Sequence, residues 1–196
     1  MIVVLEGPEG TGKTTLSEAL CARWDFVSYR TMAWKGGRLR PDEIARWREL
    51  GVPVNTYVDD VYAADLLASL DHQVALAWEF RLILDRSMPS GVAYTPEGPA
   101  YHRRLIEWWV ETLQPLDARL IHLDAPVDNL MARLPRGDTR RHPEHLSRVR
   151  STLGEAVAYA ANLPTLCVDV SQDPFWDGER HNGPAVEDHV IKWLGL

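Results

Sequence analysis

The opening stretch MIVVLEGPEGTGKTTLSEAL, residues 1–20, limits the possible folds more than any other part of the chain. Residues 2–6, IVVLE, are a short continuous apolar run that stops at Gly7, the pattern of a strand buried on both faces of a parallel sheet. From Thr14 onward Leu16, Ala19, Leu20 and Trp24 recur at helical spacing. Between strand and helix, Gly7, Gly12, Lys13 and Thr14 satisfy G-x-x-x-x-G-K-[ST] in the order a phosphate loop requires. The glycines let backbone N–H groups turn inward around a phosphate, and the helix N-terminus adds positive potential. Lys13 can reach the outer phosphates and the Thr14 hydroxyl can ligate Mg²⁺.

The rest of the chain continues the alternation. FVSYR (26–30), FRLILD (80–85), RLIHLD (119–124) and TLCVDV (165–170) read as further strands. Helices are expected over PDEIARWREL (41–50), from about Thr56 through VYAADLLASL, over 101–113 with Leu105, Trp108, Trp109 and Leu113 on one side, over VDNLMARL, and over AVEDHVIKWL. This predicts one α/β domain spanning 1–196, a five-stranded parallel sheet with helices on both faces. At 196 residues and 45% hydrophobic, two domains would be cramped. The net charge of −7 argues against broad affinity for nucleic acid or an anionic membrane, although six arginines lie between 133 and 150. Cys21 and Cys167 have no metal-ligand or disulfide-framework spacing and read as reduced core residues, which fits a cytoplasmic protein. The apolar start lacks the basic flank and length of a signal peptide, and no run of 18 apolar residues occurs. The seven histidines form no recognisable ligand spacing and receive no catalytic role.

Asp85 ends a buried strand where open α/β sheets present ligand groups, and Arg86 follows it into the same crevice. Asp85 could hold Mg²⁺ directly or through water, or it could cap the next turn. Here the residues resemble a family. LDRSMPSGVAY fits the D-R-x-x-x-S-x-x-A-[YF] signature of thymidylate kinases, and GPEGTGKTT resembles their phosphate loop down to the acid at its third position, Glu9. RLIHLDAPVDNLMARLPRGD resembles their fourth strand, following helix and mobile lid.

The resemblance implies a P-loop NTPase fold with an Arg-rich lid over about 133–150, with ATP as donor and Mg²⁺ beside it. It implies that Gly7 and the loop residues Glu9, Gly10, Thr11, Gly12, Lys13, Thr14 and Thr15 hold the donor phosphates, with Arg133 also on the donor side. Thr14 and Asp85 would serve the metal. Glu9 would also lie near the acceptor sugar, Arg86 and Arg30 on the acceptor phosphate, and Ser90, Gly91 and Tyr94 beside the base. The loop has no arginine, whereas the lid segment has Arg133, Arg136, Arg140 and Arg141, of which Arg136 is the expected catalytic cation. A phosphoryl group in flight spreads charge that such an arginine stabilises. The other reading of the run is a solvated basic helix face.

Three departures qualify the resemblance. The second-strand motif of the family survives only as Arg30, Ser87 follows Asp85–Arg86 in place of an aromatic or histidine, and Asp65 replaces an arginine that donates to the thymine carbonyl. An ionised aspartate only accepts, so Asp65 would select a base bearing an amino group, such as cytosine or adenine. It could instead be an acid paired with Arg81 or Arg30. Tyr62 is a candidate for the base pocket or a core aromatic.

Three functions compete. The leading expectation is γ-phosphoryl transfer from ATP to a deoxynucleoside 5′-monophosphate, whose ionised phosphate needs no general base. The second is transfer to a hydroxyl of a nucleoside or of a modified base in DNA, with Glu6 or Glu9 as base; only there would nucleic acid be a partner. The third is a nucleotide-binding module without turnover. The expected partner is a nucleotide acceptor rather than a membrane, and thymidylate kinases suggest a homodimer through the helix around 57–78.

Overall fold

The structure is a computed structural model that describes residues 1–29, 73–93, 98–135, 138, 141–175 and 182–196. Five strands run parallel: β1 (Ile2–Glu6), β2 (Phe26–Tyr29), β3 (Arg81–Asp85), β4 (Ala118–Asp124) and β5 (Thr165–Asp169). Their spatial order is β2-β3-β1-β4-β5, which puts the first strand at the centre. All five residues of β1 are buried, as a continuous apolar run covered on both faces requires.

The period of two along the strands divides the core. Ile2, Val4, Leu82, Leu84 and Leu120 face one layer, and Val3, Leu5, Ile83, Ile121 and Leu123 face the other. The first layer contains the helix Arg103–Leu113, the second the helices Lys13–Trp24 (α1) and Gly183–Leu194. In chain order the helices after α1 are α2 (Met88–Ala93), the single turn Gly98–Tyr101, α3 (Arg103–Leu113), α4 (Val127–Arg133), α5 (Pro143–Tyr159) and α6 (Gly183–Leu194). Residues 73–79 are also helical. Each fully buried Leu, Ile or Val contributes about 1.5–3 kcal/mol, so the central strands account for much of the stability.

Side chains on α1 explain how the loop helix is anchored. Lys13, Leu16, Ser17 and Leu20 are its buried face, at helical intervals. Arg23 Nη1 donates to the buried Glu187 of α6 at 3.0 Å, and Trp24 Nε1 donates to the same carboxylate at 3.4 Å. The far end of α6 is closed by Gly195 in the left-handed region, at φ 74°.

Several expectations are corrected. Cys167 is exposed rather than core, because its strand lies at the edge of the sheet, and Cys21 is half-buried. In α3 the buried positions are Ile106, Trp109, Val110 and Leu113, while Trp108 is 42% exposed: neighbouring positions on a helix point about 100° apart. Within the segment 133–150, Arg133 ends α4 and residues from Pro143 onward form the first turns of α5. The helix expected at 41–50 and most of the proposed dimer helix lie outside the described residues. Among the described residues no helix is long and apolar enough to cross a membrane.

Candidate active site

At the carboxyl end of β1 the chain turns through a loop that only glycine can make. Gly7 has φ 152°, and a Cβ there would lie 2.3 Å from the Leu123 carbonyl oxygen. Gly10 and Gly12 follow at φ 84° and 87°, both left-handed. The Thr11 hydroxyl donates to the Pro8 carbonyl at 2.9 Å and braces the loop internally. Gly12 caps α1 with no side-chain cap bond, and no acid occupies the first turn. The first N–H groups of α1 carry the partial positive charge of a helix start, and no acid of the helix's own first turn offsets it. Thr14 and Thr15 lie exposed on that first turn.

Lys13 is only 6% exposed, with Nζ donating to the carbonyls of Gly7 at 2.7 Å and Pro8 at 2.6 Å, and to Thr11 Oγ1 at 3.4 Å. Burial, reinforced by the Arg86 charge, lowers its pKa to about 7 despite the opposing influence of Glu9, Asp85 and Glu6. An ammonium this poorly hydrated is a strong partner for an anion.

The neighbouring strand supplies the second half. Asp85 pairs in register with Leu5 and is 4% exposed, which sets it beside the start of the loop. Arg86 takes φ 69°, its N–H donating to the Leu5 carbonyl at 3.1 Å, and its Nη2 lies 3.3 Å from Glu9 Oε1. Glu9, Asp85, Lys13 and Arg86 thus converge where sequence reasoning grouped them.

Ser90 and Gly91, expected beside the acceptor base, are fully buried in α2. Ser90 Oγ donates to Glu6 Oε2, and the Gly91 N–H donates to the Ser87 carbonyl at 2.9 Å. The side chain of Ser90 therefore serves the strand end. Glu6 itself is 0% exposed and also accepts at Oε1 from Ser87 N at 2.8 Å, Ser87 Oγ at 3.1 Å and Ser90 N at 3.4 Å. Burial raises its pKa, against the pull of the Ser90 bond and the Arg86 charge. From the sequence alone Glu6 is a candidate only as a base. The missed signal was the pair of hydroxyls three residues apart directly after Asp85–Arg86.

On the other side of β1, Arg133 reaches the loop from the end of α4. Its Nη1 donates to the Gly10 carbonyl at 3.2 Å and its Nη2 to the Val170 carbonyl at 2.9 Å, while burial lowers its pKa. Arg150 on α5 grips Asp124 with contacts of 2.7, 2.8 and 3.0 Å. His122, paired in register with Glu6, is buried, and its Nε2 has no hydrogen-bond partner among the described residues; burial depresses its pKa, Asp124 opposes this, and Lys13 and Arg150 add to it. Arg30, Tyr62, Asp65, Tyr94, Arg136 and Arg140 lie outside the described residues, as does the second-strand motif.

The donor set can be tested for Mg²⁺. The Thr14 hydroxyl and Asp85 carboxylate are hard oxygen ligands on adjoining elements, the kind Mg²⁺ takes together with substrate phosphates. Among the described residues no three His, Cys, Asp or Glu side chains form a metal cage. Three carboxylates, Glu6, Glu9 and Asp85, stand against the two cations Lys13 and Arg86, a balance compatible with an added divalent charge.

No protein-family model matches the sequence, and no curated protein is similar to it. Solved structures are similar in fold. Deoxyadenosine kinase from M. mycoides with bound dATP superposes with a TM-score of 0.63 at 15% identity, covering 100% of both chains. The YorR protein from Bacillus subtilis, in complex with phosphorylated GDP, gives 0.61 at 18% identity, covering 100% of this chain and 96% of that one. Deoxyadenosine kinase from M. mycoides with the products dCMP and a flexible dCDP gives 0.57 at 13% identity, covering 100% and 99%. The chain thus has the fold of P-loop kinases, a five-stranded parallel sheet with helices on both sides.

Proposed function

We propose that this chain transfers the γ-phosphoryl group of ATP to a deoxynucleoside 5′-monophosphate. The observation that carries the reading is the meeting of Lys13, Asp85, Arg86 and Glu9 around one glycine loop at the carboxyl ends of β1 and β3. The N–H groups of residues 9–15 and the Lys13 ammonium would hold the donor phosphates, and Arg86 the acceptor phosphate. Thr14 and Asp85 would hold Mg²⁺, which when bound neutralises phosphate charge. Placing two charged reactants in line supplies most of what phosphoryl transfer needs, with cations to stabilise the spread charge. Arg136 remains the proposed lid cation on sequence grounds, and Arg133 the donor-side one.

A phosphate acceptor is favoured over a hydroxyl by the state of the carboxylates. Glu6 is engaged by Ser87 and Ser90, and Glu9 is ion-paired to Arg86, so taking a proton from an alcohol would compete with bonds each already makes. The likeness in fold to deoxyadenosine kinase supports the second reading, transfer to a nucleoside hydroxyl. The resemblance to thymidylate kinases rests on the sequence motifs alone, and Asp65 in place of arginine points to an acceptor base with an amino group.

ADP release with ATP and Mg²⁺ is measured against each deoxynucleoside monophosphate, each free nucleoside and single-stranded DNA, with Lys13→Ala as control. Turnover of dCMP or dAMP above dTMP is the expected result, and Asp65→Arg should shift that preference toward dTMP. Turnover confined to nucleosides or DNA would replace the monophosphate reading with the hydroxyl one.

A further inference from the structure

We infer that Glu6 is a positioning residue for the acceptor side of the site: it gathers the donors of Ser87 and Ser90 and so fixes the left-handed turn that aims Arg86 at the phosphate loop. The inference rests on the phosphoryl-transfer reading above, in which Arg86 holds the acceptor.

Glu6 is the last residue of β1, and a carboxylate buried there at 0% exposure is costly unless donors surround it. All four donors come from Ser87, just before α2, and Ser90, in its first turn, two of them backbone N–H groups and two hydroxyls. Consecutive N–H groups then part ways. Arg86 N–H still donates to the main chain of β1, at Leu5, whereas Ser87 N–H donates to a side chain, that of Glu6. Ending the ladder on a carboxylate lets the chain leave the sheet between residues 86 and 87. The exit requires Arg86 at φ 69°, a left-handed conformation that costs a non-glycine residue about 1–2 kcal/mol and persists only where its surroundings over-determine it. In that conformation the guanidinium reaches Glu9 on the loop. Glu6 therefore acts on the acceptor through Arg86, and its own oxygens, buried and bonded, stay away from the reacting atoms.

Glu6→Gln keeps the size of the side chain but removes its charge and one acceptor oxygen. With the acceptor that wild type turns over, we expect acceptor kcat/KM to fall by about tenfold or more while the ATP KM moves by less than about twofold. Arg86→Lys should cost more, and the double variant should be no worse than Arg86→Lys alone within about twofold, because the two residues act as one unit. Equal losses toward both substrates, or losses that multiply in the double variant, would overturn the inference. A second readout does not depend on turnover: in protein labelled with ¹⁵N-arginine, the Arg86 Nε–H signal, assigned by its loss in Arg86→Lys, should shift and exchange faster in Glu6→Gln. An unchanged signal would also overturn the inference. Should Glu6→Gln not fold, Ser90→Ala removes one donor only and is expected to give the same changes at smaller size, their absence counting against the inference. If wild type turns over no acceptor, the transfer reading falls, and the NMR comparison alone decides the part played by Glu6.

Discussion

The carboxyl ends of β1 and β3 and those of β4 and β5 handle charge in opposite ways. On the β1–β3 side, Glu6, Glu9, Asp85 and Lys13 are all at least nine-tenths buried and depend on one another and on Arg86. On the β4–β5 side, Asp124 and Arg150 make a geometrically better pair, yet their side chains are 27% and 42% exposed. The comparison teaches that contact geometry alone does not rank ionic groups. Withdrawal from water does, because it sets both the cost of leaving a partner unmatched and the field available to a bound phosphate.

The largest effect should come from the buried side. Lys13→Met is expected to reduce kcat by about 10²–10³, as loss of a preorganised charge-stabilising donor does, measured by ADP release. It should at the same time raise the thermal midpoint. The sign follows from linkage: with a folded pKa of about 7 and an unfolded value of 10.5, the unfolded chain binds more protons across that window. The wild-type contribution is most unfavourable below about pH 7 and is relieved as pH rises toward 10.5. The variant should lose that slope in denaturant titrations run across the window.

Gly7→Ala comes next. Its Cβ would fall 2.3 Å from a main-chain oxygen of Leu123, which cannot move aside as a side-chain end could. A cost of about 1–3 kcal/mol is expected, read as a lower urea midpoint with weaker nucleotide binding.

A smaller change should follow from His122→Gln. The folded pKa of His122 lies below the ordinary 6.5 because of burial, so the unfolded state takes up the proton first and wild-type stability falls as pH drops through 6.5. Urea midpoints between neutral and mildly acid pH should fall less steeply in the variant. An unaltered slope would show that His122 carries no such penalty.

Arg150→Ala should have the least effect, at most about 1 kcal/mol, since an exposed pair is screened by solvent. A loss as large as that from the buried side would show that exposure does not set the worth of these ionic groups.

The same difference governs what could be read from the sequence. The five strands, the glycine loop and the Asp85–Arg86 pair were legible because continuous apolar runs and a fixed glycine spacing answer to strong local constraints. The helix α5 is hard to read from the sequence, because the arginines of its first turns resemble those of a lid and its apolar stripe of Leu146, Val149, Leu153 and Ala156 is interleaved with charged residues. The exposure of Cys167 depends on strand order, which no local pattern states. The role of Glu6 was hidden for another reason: its partners lie 81 and 84 residues away, and a glutamate ending a strand looks the same whether it meets water or a ring of donors.

The grip of Glu187 on Arg23 and Trp24 has a consequence for how the chain is made. The loop helix leaves the ribosome well before its clamp and much of its apolar cover, Val186, Val190, Ile191 and Leu194. Until α6 emerges, the glycine loop has its sequence but lacks the helix that holds its own helix in place. The cradle around the loop is therefore finished only after α6 has emerged.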